Sequence, residues 1–155
     1  MEGVDDARRR ALADARSWGA ALALADAWLR DVAASETPGL DAQVLLAHIN
    51  GASRTSILAY PERPLTAEQA ARYTELVARR AAHEPVAYLT GHREFLGLDL
   101  LTDRRALIPR PETELLVEAA LRDLESRLAR DPQPPVVADI GTGSGAIAVA
   151  LAVRE

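Results

Sequence analysis

Hydrophobic residues recur every three or four positions through the first half of the chain, which is typical of amphipathic helices. Residues 1–35, polar at first, predict one such helix, with an apolar face of Trp18, Leu22, Ala25 and Leu29. Thr37-Pro38 begins a second predicted helix and Gly51 ends it, because proline suits a first helical turn and glycine a C-terminal cap. The apolar face of this second helix consists of Val44, Leu45, His48 and Ile49.

Two further helices complete an all-helical bundle that we predict to span residues 1–82. Ser53 can cap a short third helix that ends near Tyr60. Thr66 and Gln69 have the spacing of a capping box, in which side chain and backbone satisfy each other at a helix start. The inner face of the helix that follows carries Tyr73, Leu76, Val77 and Arg80.

The hydrophobic period changes after Glu84-Pro85, which interrupts the helical pattern. Phe95, Leu98 and Leu100 surround Gly97, so we predict two short strands that turn near this glycine. Residues 83–108 are therefore predicted to form a hairpin-like linker.

Another helix is predicted behind Pro111, because this proline precedes two acids that suit the positive end of a helix, Glu112 and Glu114. The hydrophobic positions of this helix are Val117, Leu121, Leu124 and Leu128. A proline-rich stretch at residues 131–135 then predicts a stiff break.

The segment after this break joins a predicted strand, a glycine-rich loop and a predicted helix. Residues 136–140 have the pattern of a short buried strand, residues 141–145 contain three glycines, and Ala146 to Val153 is an apolar helix. Doubly wound α/β folds bind ligands at such a loop, where the carboxyl end of a strand meets the amino end of a helix. Because one strand cannot make a sheet, we expect residues 109–155 to be the first part of an α/β domain in a longer protein.

Composition narrows the classes of protein. The 155 residues are 48% hydrophobic, carry a net charge of −5, and contain neither cysteine nor lysine. Disulfide scaffolds, thiolate zinc sites and P-loop lysines are thereby excluded, and a generic polyanion binder is disfavoured. No apolar run approaches the ~20 residues of a membrane span and no signal-type core follows the charged start, so we expect a cytoplasmic protein without membrane contact. Three scattered histidines do not predict a metal site.

Two cofactor classes fit the glycine loop. Gly141, Gly143 and Ala146 match the relaxed dinucleotide fingerprint G-x-G-x-x-G/A. Asp139, however, precedes the loop, and its carboxylate would repel a pyrophosphate but suits the cationic groups of S-adenosylmethionine. The remaining interpretation is a loop kept only for tight packing of the strand on the helix, with Asp139 accepting from loop amides.

Several single residues have two interpretations each. Arg110 is either a contact for cofactor or substrate, or the exposed ion-pair partner of Glu112 or Glu114. His48 is expected in the core or at its boundary. Arg79-Arg80 is either a solvated helix end or a contact for a partner.

Three segments, in this order, resemble the release-factor glutamine methyltransferases of the HemK/PrmC type. They are Glu84 to Gly91 with Arg93-Glu94-Phe95, then Leu107-Ile108-Pro109-Arg110-Pro111-Glu112-Thr113-Glu114, and last Asp139 to Ala148. The helical segment Asp41 to Leu46 is similar too, so the resemblance covers nearly all of residues 38–155. The I-P-R-P-E-T-E string is far more specific than the glycine loop.

The resemblance implies an α/β protein with an N-terminal helical bundle, a β-hairpin linker and a Rossmann-like methyltransferase domain. Members transfer a methyl group from S-adenosylmethionine to the glutamine side-chain amide in the Gly-Gly-Gln motif of class I peptide chain release factors. By resemblance, the cofactor would be contacted by Asp139, Gly141, Thr142, Gly143, Ser144 and Gly145. The cleft for the glutamine would be bordered by Pro109, Arg110, Pro111, Glu112 and Thr113, and the bundle would help to hold the release factor. We expect a monomer without direct nucleic-acid contact.

The sequence lacks one motif on which the family's chemistry depends. The family orients the target amide with an Asn-Pro-Pro-Tyr motif, and no such string occurs in these 155 residues. An amide nitrogen is a poor nucleophile, so methyl transfer depends on positioning, and we expect the chain alone to be inactive, as a C-terminally truncated member would be. Three alternatives stay open: a methyltransferase for another amide or amine, a non-catalytic helical interaction module, and an NAD-dependent enzyme.

Overall fold

The computed structural model describes residues 2–131, 133 and 135–154. The chain divides into two compact units, a helical unit that ends at Thr90 and a second unit that begins at Gly91. Each unit has its own hydrophobic core. The predicted proline-rich break lies partly outside the described residues.

The helical unit contains six helices among its described residues. Their bounds are α1 Glu2–Ala13, α2 Trp18–Asp31, α3 Pro38–Asn50, α4 Arg54–Ala59, α5 Ala67–Ala81 and α6 Val86–Thr90. The sequence predicted one helix within residues 1–35, whereas the structure has two, α1 and α2. Ser17 begins the second of them, because its side-chain oxygen accepts a hydrogen bond from the Ala20 backbone at 3.3 Å. Helix α6 was not predicted.

The predicted helix ends of this unit are confirmed. Gly51 caps α3 in the left-handed conformation, with a φ of 57°. Ser53 caps α4. Both hydrogen bonds of the capping box on α5 are present: the Gln69 backbone N–H donates to Thr66 Oγ1 at 3.2 Å, and the Thr66 N–H donates to Gln69 Oε1 at 3.0 Å.

The core of the helical unit corrects the predicted face of α3. Its buried hydrophobic residues include Ala42, Leu45 and Leu46, whereas Val44 is half-buried and His48 is exposed. The 3.6-residue period explains this, since Val44 lies on the far side of the helix from Ala42 and His48 lies beyond the edge of the packed face. His48 is therefore not a core residue.

Polar contacts tie α3 to α5. The buried Tyr73 hydroxyl donates to the Ala42 carbonyl at 2.9 Å, and burial raises the pKa of Tyr73 well above its ordinary value. Arg80 pairs with Asp41 at 2.7 Å, and Arg79 pairs with Glu84 at 2.7 Å. Arg79 and Arg80 therefore each form an ion pair with an acid, so they are not the solvated helix end that was one interpretation of the sequence.

The second unit begins with a β-hairpin, as predicted. Strand β1 His92–Phe95 pairs antiparallel with β2 Leu98–Leu101. Leu96 and Gly97 have φ values of 52° and 78°, which suit the two-residue turn that matches the twist of a hairpin. The predicted turn at Gly97 is therefore confirmed.

Two helices complete the second unit, α7 Glu112–Leu128 and α8 Ala146–Arg154, and both were predicted. They form a small core with the hairpin. Its buried residues are Phe95, Val117, Leu124, Ala146, Ala150 and Leu151.

The predicted strand at residues 136–140 is wrong for this structure. The one sheet among the described residues is the hairpin, and residues 136–139 have no regular secondary structure. The Val136 and Ile140 side chains are 98% and 96% exposed. The physical reason is that a strand needs a hydrogen-bonded neighbour, and the described residues supply none here.

Candidate functional site

The glycine loop is built from three glycines in the left-handed region of φ. Gly141, Gly143 and Gly145 have φ values of 80°, 55° and 79°. An L-residue would strain the backbone at each position. Open space surrounds the loop, because a side chain built on Gly141 or Gly145 would meet no atom within 4 Å. The glycines are therefore required by backbone conformation rather than by crowding.

Hydrogen bonds within the loop fix its shape. Thr142 Oγ1 donates to Asp139 Oδ2 at 2.9 Å, and the Gly145 N–H donates to the Thr142 carbonyl at 2.8 Å. Thr142 and Ser144 are exposed, whereas Asp139 is half-buried. The loop thus presents hydroxyl groups and one carboxylate beside accessible backbone.

The loop leads directly into α8, whose first residue is Ala146. The Val149 N–H donates to the Gly145 carbonyl at 2.9 Å, so the helical pattern starts at the last loop glycine. The amides of the first helical turn have no partner inside the helix and carry partial positive charge. Acceptor groups of a ligand can bind there, while Asp139 suits a cationic group.

The segment before the loop also positions Asp139. Residues 135, 137 and 139 line a hollow of about 200 Å³, closed on the other side by Leu124 of α7 and by Ala148, Leu151 and Ala152 of α8. The carboxylate therefore stands at the border between an apolar hollow and the exposed loop. This position accounts for its half-burial.

The residues predicted to border a substrate cleft form the turn before α7. Pro109 is buried, Thr113 is half-buried, and Arg110, Pro111 and Glu112 are exposed. The Thr113 N–H donates to the Arg110 carbonyl at 3.0 Å, which closes the turn. Within the described part of the chain, no hydrogen bond or ion pair joins residues 109–113 to residues 139–145, so the two predicted groups stay separate in their contacts.

The ion pair with Glu112 or Glu114, one of the two interpretations of Arg110, is not formed among the described residues. Glu114, one of its expected partners, instead accepts a hydrogen bond from the Leu96 N–H at 3.3 Å. From the other side Arg154 donates to the Leu96 carbonyl at 2.7 Å. The hairpin turn is thus held between the first turn of α7 and the last turn of α8. Sequence reasoning missed both contacts, because they join residues 18 and 58 positions apart.

Two further properties follow from the described residues. They contain no group of three His, Cys, Asp or Glu side chains that could hold a metal ion. None of their helices combines the length and the apolar character that crossing a bilayer requires.

Comparison with known proteins first defines the class of the helical unit. The sequence model of a family described as the PrmC N-terminal domain matches residues 20–91. This range begins within α2, takes in α3 to α6 and ends directly before the hairpin.

Comparison with whole proteins then defines the family. The chain is 53% identical over 119 residues to a release factor glutamine methyltransferase of Burkholderia pseudomallei, which covers 77% of this chain and 40% of the relative. The protein of the same name from Escherichia coli is 49% identical over 130 residues, 81% of this chain and 44% of the relative. That of Rhodopirellula baltica is 48% identical over 118 residues, covering 76% and 40%. The chain belongs to the release factor glutamine methyltransferase family, and it spans about two fifths of the length of these relatives.

Proposed function

We propose that this chain is the N-terminal part of an enzyme that methylates the glutamine side-chain amide in the Gly-Gly-Gln motif of class I release factors. The methyl donor would be S-adenosylmethionine. The observation that carries the proposal is the glycine loop, with its three left-handed glycines and its carboxylate in front of α8. The identity to release factor glutamine methyltransferases over about four fifths of the chain supports it.

The residues of the loop fit the proposed cofactor. Open space at Gly141 and Gly145 lets a ligand approach the backbone, and the Asp139 carboxylate offers a counter-charge for a sulfonium or ammonium group. Asp139, Gly141, Thr142, Gly143, Ser144 and Gly145 would hold the cofactor. The cofactor would supply an electrophilic methyl group, and the protein would have to orient the glutamine amide towards it.

The bundle, the linker and the segment around the glycine loop would each have a separate role in the enzyme. Residues 1–82 would bind the release factor and residues 83–108 would link the two regions. Residues 109–155 would begin a Rossmann-like methyltransferase domain, with Pro109 to Thr113 at the border of the glutamine cleft. The enzyme would act as a monomer in the cytoplasm, without direct nucleic-acid contact.

A chimera tests this function. Residues 1–155 are joined to the part of the Escherichia coli relative that follows its matching region, and the chimera is incubated with a class I release factor and S-adenosylmethionine. We expect the Gly-Gly-Gln peptide to gain the mass of one methyl group. Gly143→Val should abolish the transfer because of its positive φ, whereas Asp123→Asn on the exposed face of α7 should leave it unchanged.

A titration of the chain with S-adenosylmethionine and with NAD separates the two cofactor classes. Heat of binding with S-adenosylmethionine alone, weakened by Asp139→Asn, would support the proposal. Binding of NAD alone would favour the dinucleotide enzyme that the glycine spacing also permits. A chimera that transfers no methyl group, while the unaltered relative does, would contradict the proposed function.

A further inference from the structure

The loop of residues 60–64 in the helical unit is fixed tightly to the start of α2. The Trp18 N–H donates to the Arg63 carbonyl at 3.0 Å, and the Gly19 N–H donates to the Pro61 carbonyl at 2.8 Å. A side chain on Gly19 would come within 2.9 Å of the Pro61 Cβ, so the loop lies directly against the helix. These contacts hold the loop in one shape before any partner arrives.

The side chain of Arg63 lies against two aromatic rings, those of Trp18 and Tyr60. Its guanidinium carbon lies 5.2 Å from the centre of the Trp18 ring and 4.8 Å from the centre of the Tyr60 ring. Cation–π contact on two rings restricts the guanidinium and leaves the N–H groups at its edge directed away from the rings. Arg63 is exposed, and among the described residues its side chain has no hydrogen bond or ion pair.

Several arginines of the helical unit pair with acids, whereas Arg9 and Arg72, like Arg63, are exposed and have no ion pair among the described residues. Arg8 pairs with Asp31, Arg30 with Asp26, and Arg80 with Asp41. Arg63 differs from Arg9 and Arg72, because its guanidinium lies over two rings, which hold its planar fork of donors in place while the side chain remains open to solvent. A carboxylate is the group that matches such a fork with two parallel hydrogen bonds.

The surface around Arg63 has the composition of a protein-binding hot spot. Tyr60, whose ring contacts Arg63, and Leu58, two residues earlier in the chain, are each about half exposed, and Pro61 and Pro64 are exposed on the same segment. Tyrosine and arginine are enriched at the energetic centres of protein interfaces, and a rigid surface loses little entropy on binding. A single unpaired arginine next to the acidic Glu62, in a chain of net charge −5, does not suit a polyanion such as RNA.

We propose that Leu58, Tyr60 and Arg63 form a docking surface for the release factor, on which Arg63 binds a carboxylate of that partner. This inference rests on the proposed function and adds to it the place and the chemistry of partner binding. Tyr60 and Leu58 contact apolar groups around the carboxylate and shield the ion pair from water.

The test measures the affinity of the 155-residue chain for a purified class I release factor by titration calorimetry. Arg63→Glu should weaken binding at least about tenfold, because it places two carboxylates together. Arg63→Lys should weaken it less, since the charge stays but the planar fork is lost. Tyr60→Ala should also weaken it. The matched control is Arg72→Glu on α5, an exposed arginine beside His48 and Ile49, which should change the affinity less than about twofold.

A stability measurement separates binding from folding. Urea unfolding of each variant shows whether the loop still packs, and a loss of affinity with an unchanged urea midpoint supports the docking surface. A loss of affinity that follows a fall in the midpoint would overturn it, as would an affinity of Arg63→Glu within about twofold of the unaltered chain. An unchanged affinity of Arg63→Glu would leave the proposed function intact. No binding by the unaltered chain would overturn the docking surface, and the chimera assay would then decide on the function by itself.

Discussion

The ion pair between Asp41 on α3 and Arg80 on α5 should make the helical unit sensitive to the loss of either partner. Arg80 Nε lies 2.7 Å from Asp41 Oδ2, and the two side chains are only 13% and 12% exposed. Arg80 Nη1 also donates to the Glu84 carbonyl at 3.2 Å. We predict that Asp41→Asn lowers the free energy of unfolding by about 3 kcal/mol, because it leaves a nearly buried guanidinium without its counter-charge.

The magnitude follows from the surroundings of the pair. Removing one partner of a buried ion pair costs about 3–5 kcal/mol. The lower end applies here, since both side chains keep some contact with water and Arg80 keeps the Glu84 carbonyl. Replacing both partners by apolar residues, Asp41→Leu with Arg80→Met, should cost much less than the sum of the single changes, because no charge is left buried.

Tryptophan fluorescence during urea unfolding measures this free energy in the helical unit alone. The chain has two tryptophans, Trp18 and Trp28, and both are buried in that unit. Linear extrapolation gives the free energy of unfolding for each variant. Asp14→Asn is the matched control, because Asp14 and Arg16 form an exposed pair at 3.6 Å whose loss should cost less than about 0.5 kcal/mol.

Two results would refute the reasoning. One is a cost below about 1 kcal/mol for Asp41→Asn, which would place the pair among ordinary surface contacts. The other is a double variant whose cost equals the sum of the two single costs, since additive effects mean that the charges do not stabilise each other.

Three further outcomes are expected. Thr66→Ala should lower the free energy of unfolding by about 1 kcal/mol in the fluorescence assay, because it removes the capping box with Gln69, whereas Thr66→Ser should nearly preserve it. His83→Gly should raise the free energy of unfolding by about 0.5 kcal/mol, because His83 follows α5 with a φ of 65°, a left-handed conformation that glycine adopts without strain. His83→Ala should not raise the free energy of unfolding. The hydrogen bond from the Arg105 side chain lowers the pKa of Asp103 to about 2, so Arg105→Ala should raise the pKa of Asp103 towards 3.8 in an NMR titration. The stabilisation that this pair contributes is fully present above pH 3.8 and is lost as the pH falls through about 2.

Features whose contacts lie within a few residues could be predicted from the sequence. The capping box, the Gly51 cap, the turn at Gly97 and the start of α8 all depend on neighbours along the chain, and all are confirmed. The glycines at 141, 143 and 145 likewise predicted a sharp turn of the backbone, and all three have positive φ values. The hydrogen bond from Thr142 to Asp139 was not predicted, since Asp139 was expected to accept only from loop amides.

Features that depend on distant residues could not be predicted. Asp41 and Arg80 are 39 positions apart, and no local pattern links them. The exposure of His48 follows from which side of α3 packs against its neighbours, and that is decided by the tertiary arrangement. Arg110 has two acids within the next four residues, Glu112 and Glu114, yet Glu114 accepts a hydrogen bond from the hairpin instead.

Residues 136–140 are a case in which the local pattern predicted an element that the structure does not contain. Val136, Val137 and Ile140 have the apolar, β-branched character of a strand that is covered on both faces, yet they are exposed here. A strand is stable only when neighbouring strands hydrogen-bond to its backbone, so this sequence pattern predicts a strand that forms only within a sheet. The loop behind it needs no such neighbours, because its hydrogen bonds fall between residues 139 and 145. Cofactor binding by the chain therefore tests the loop, whereas methyl transfer by the chimera tests the sheet and the substrate site that would surround it.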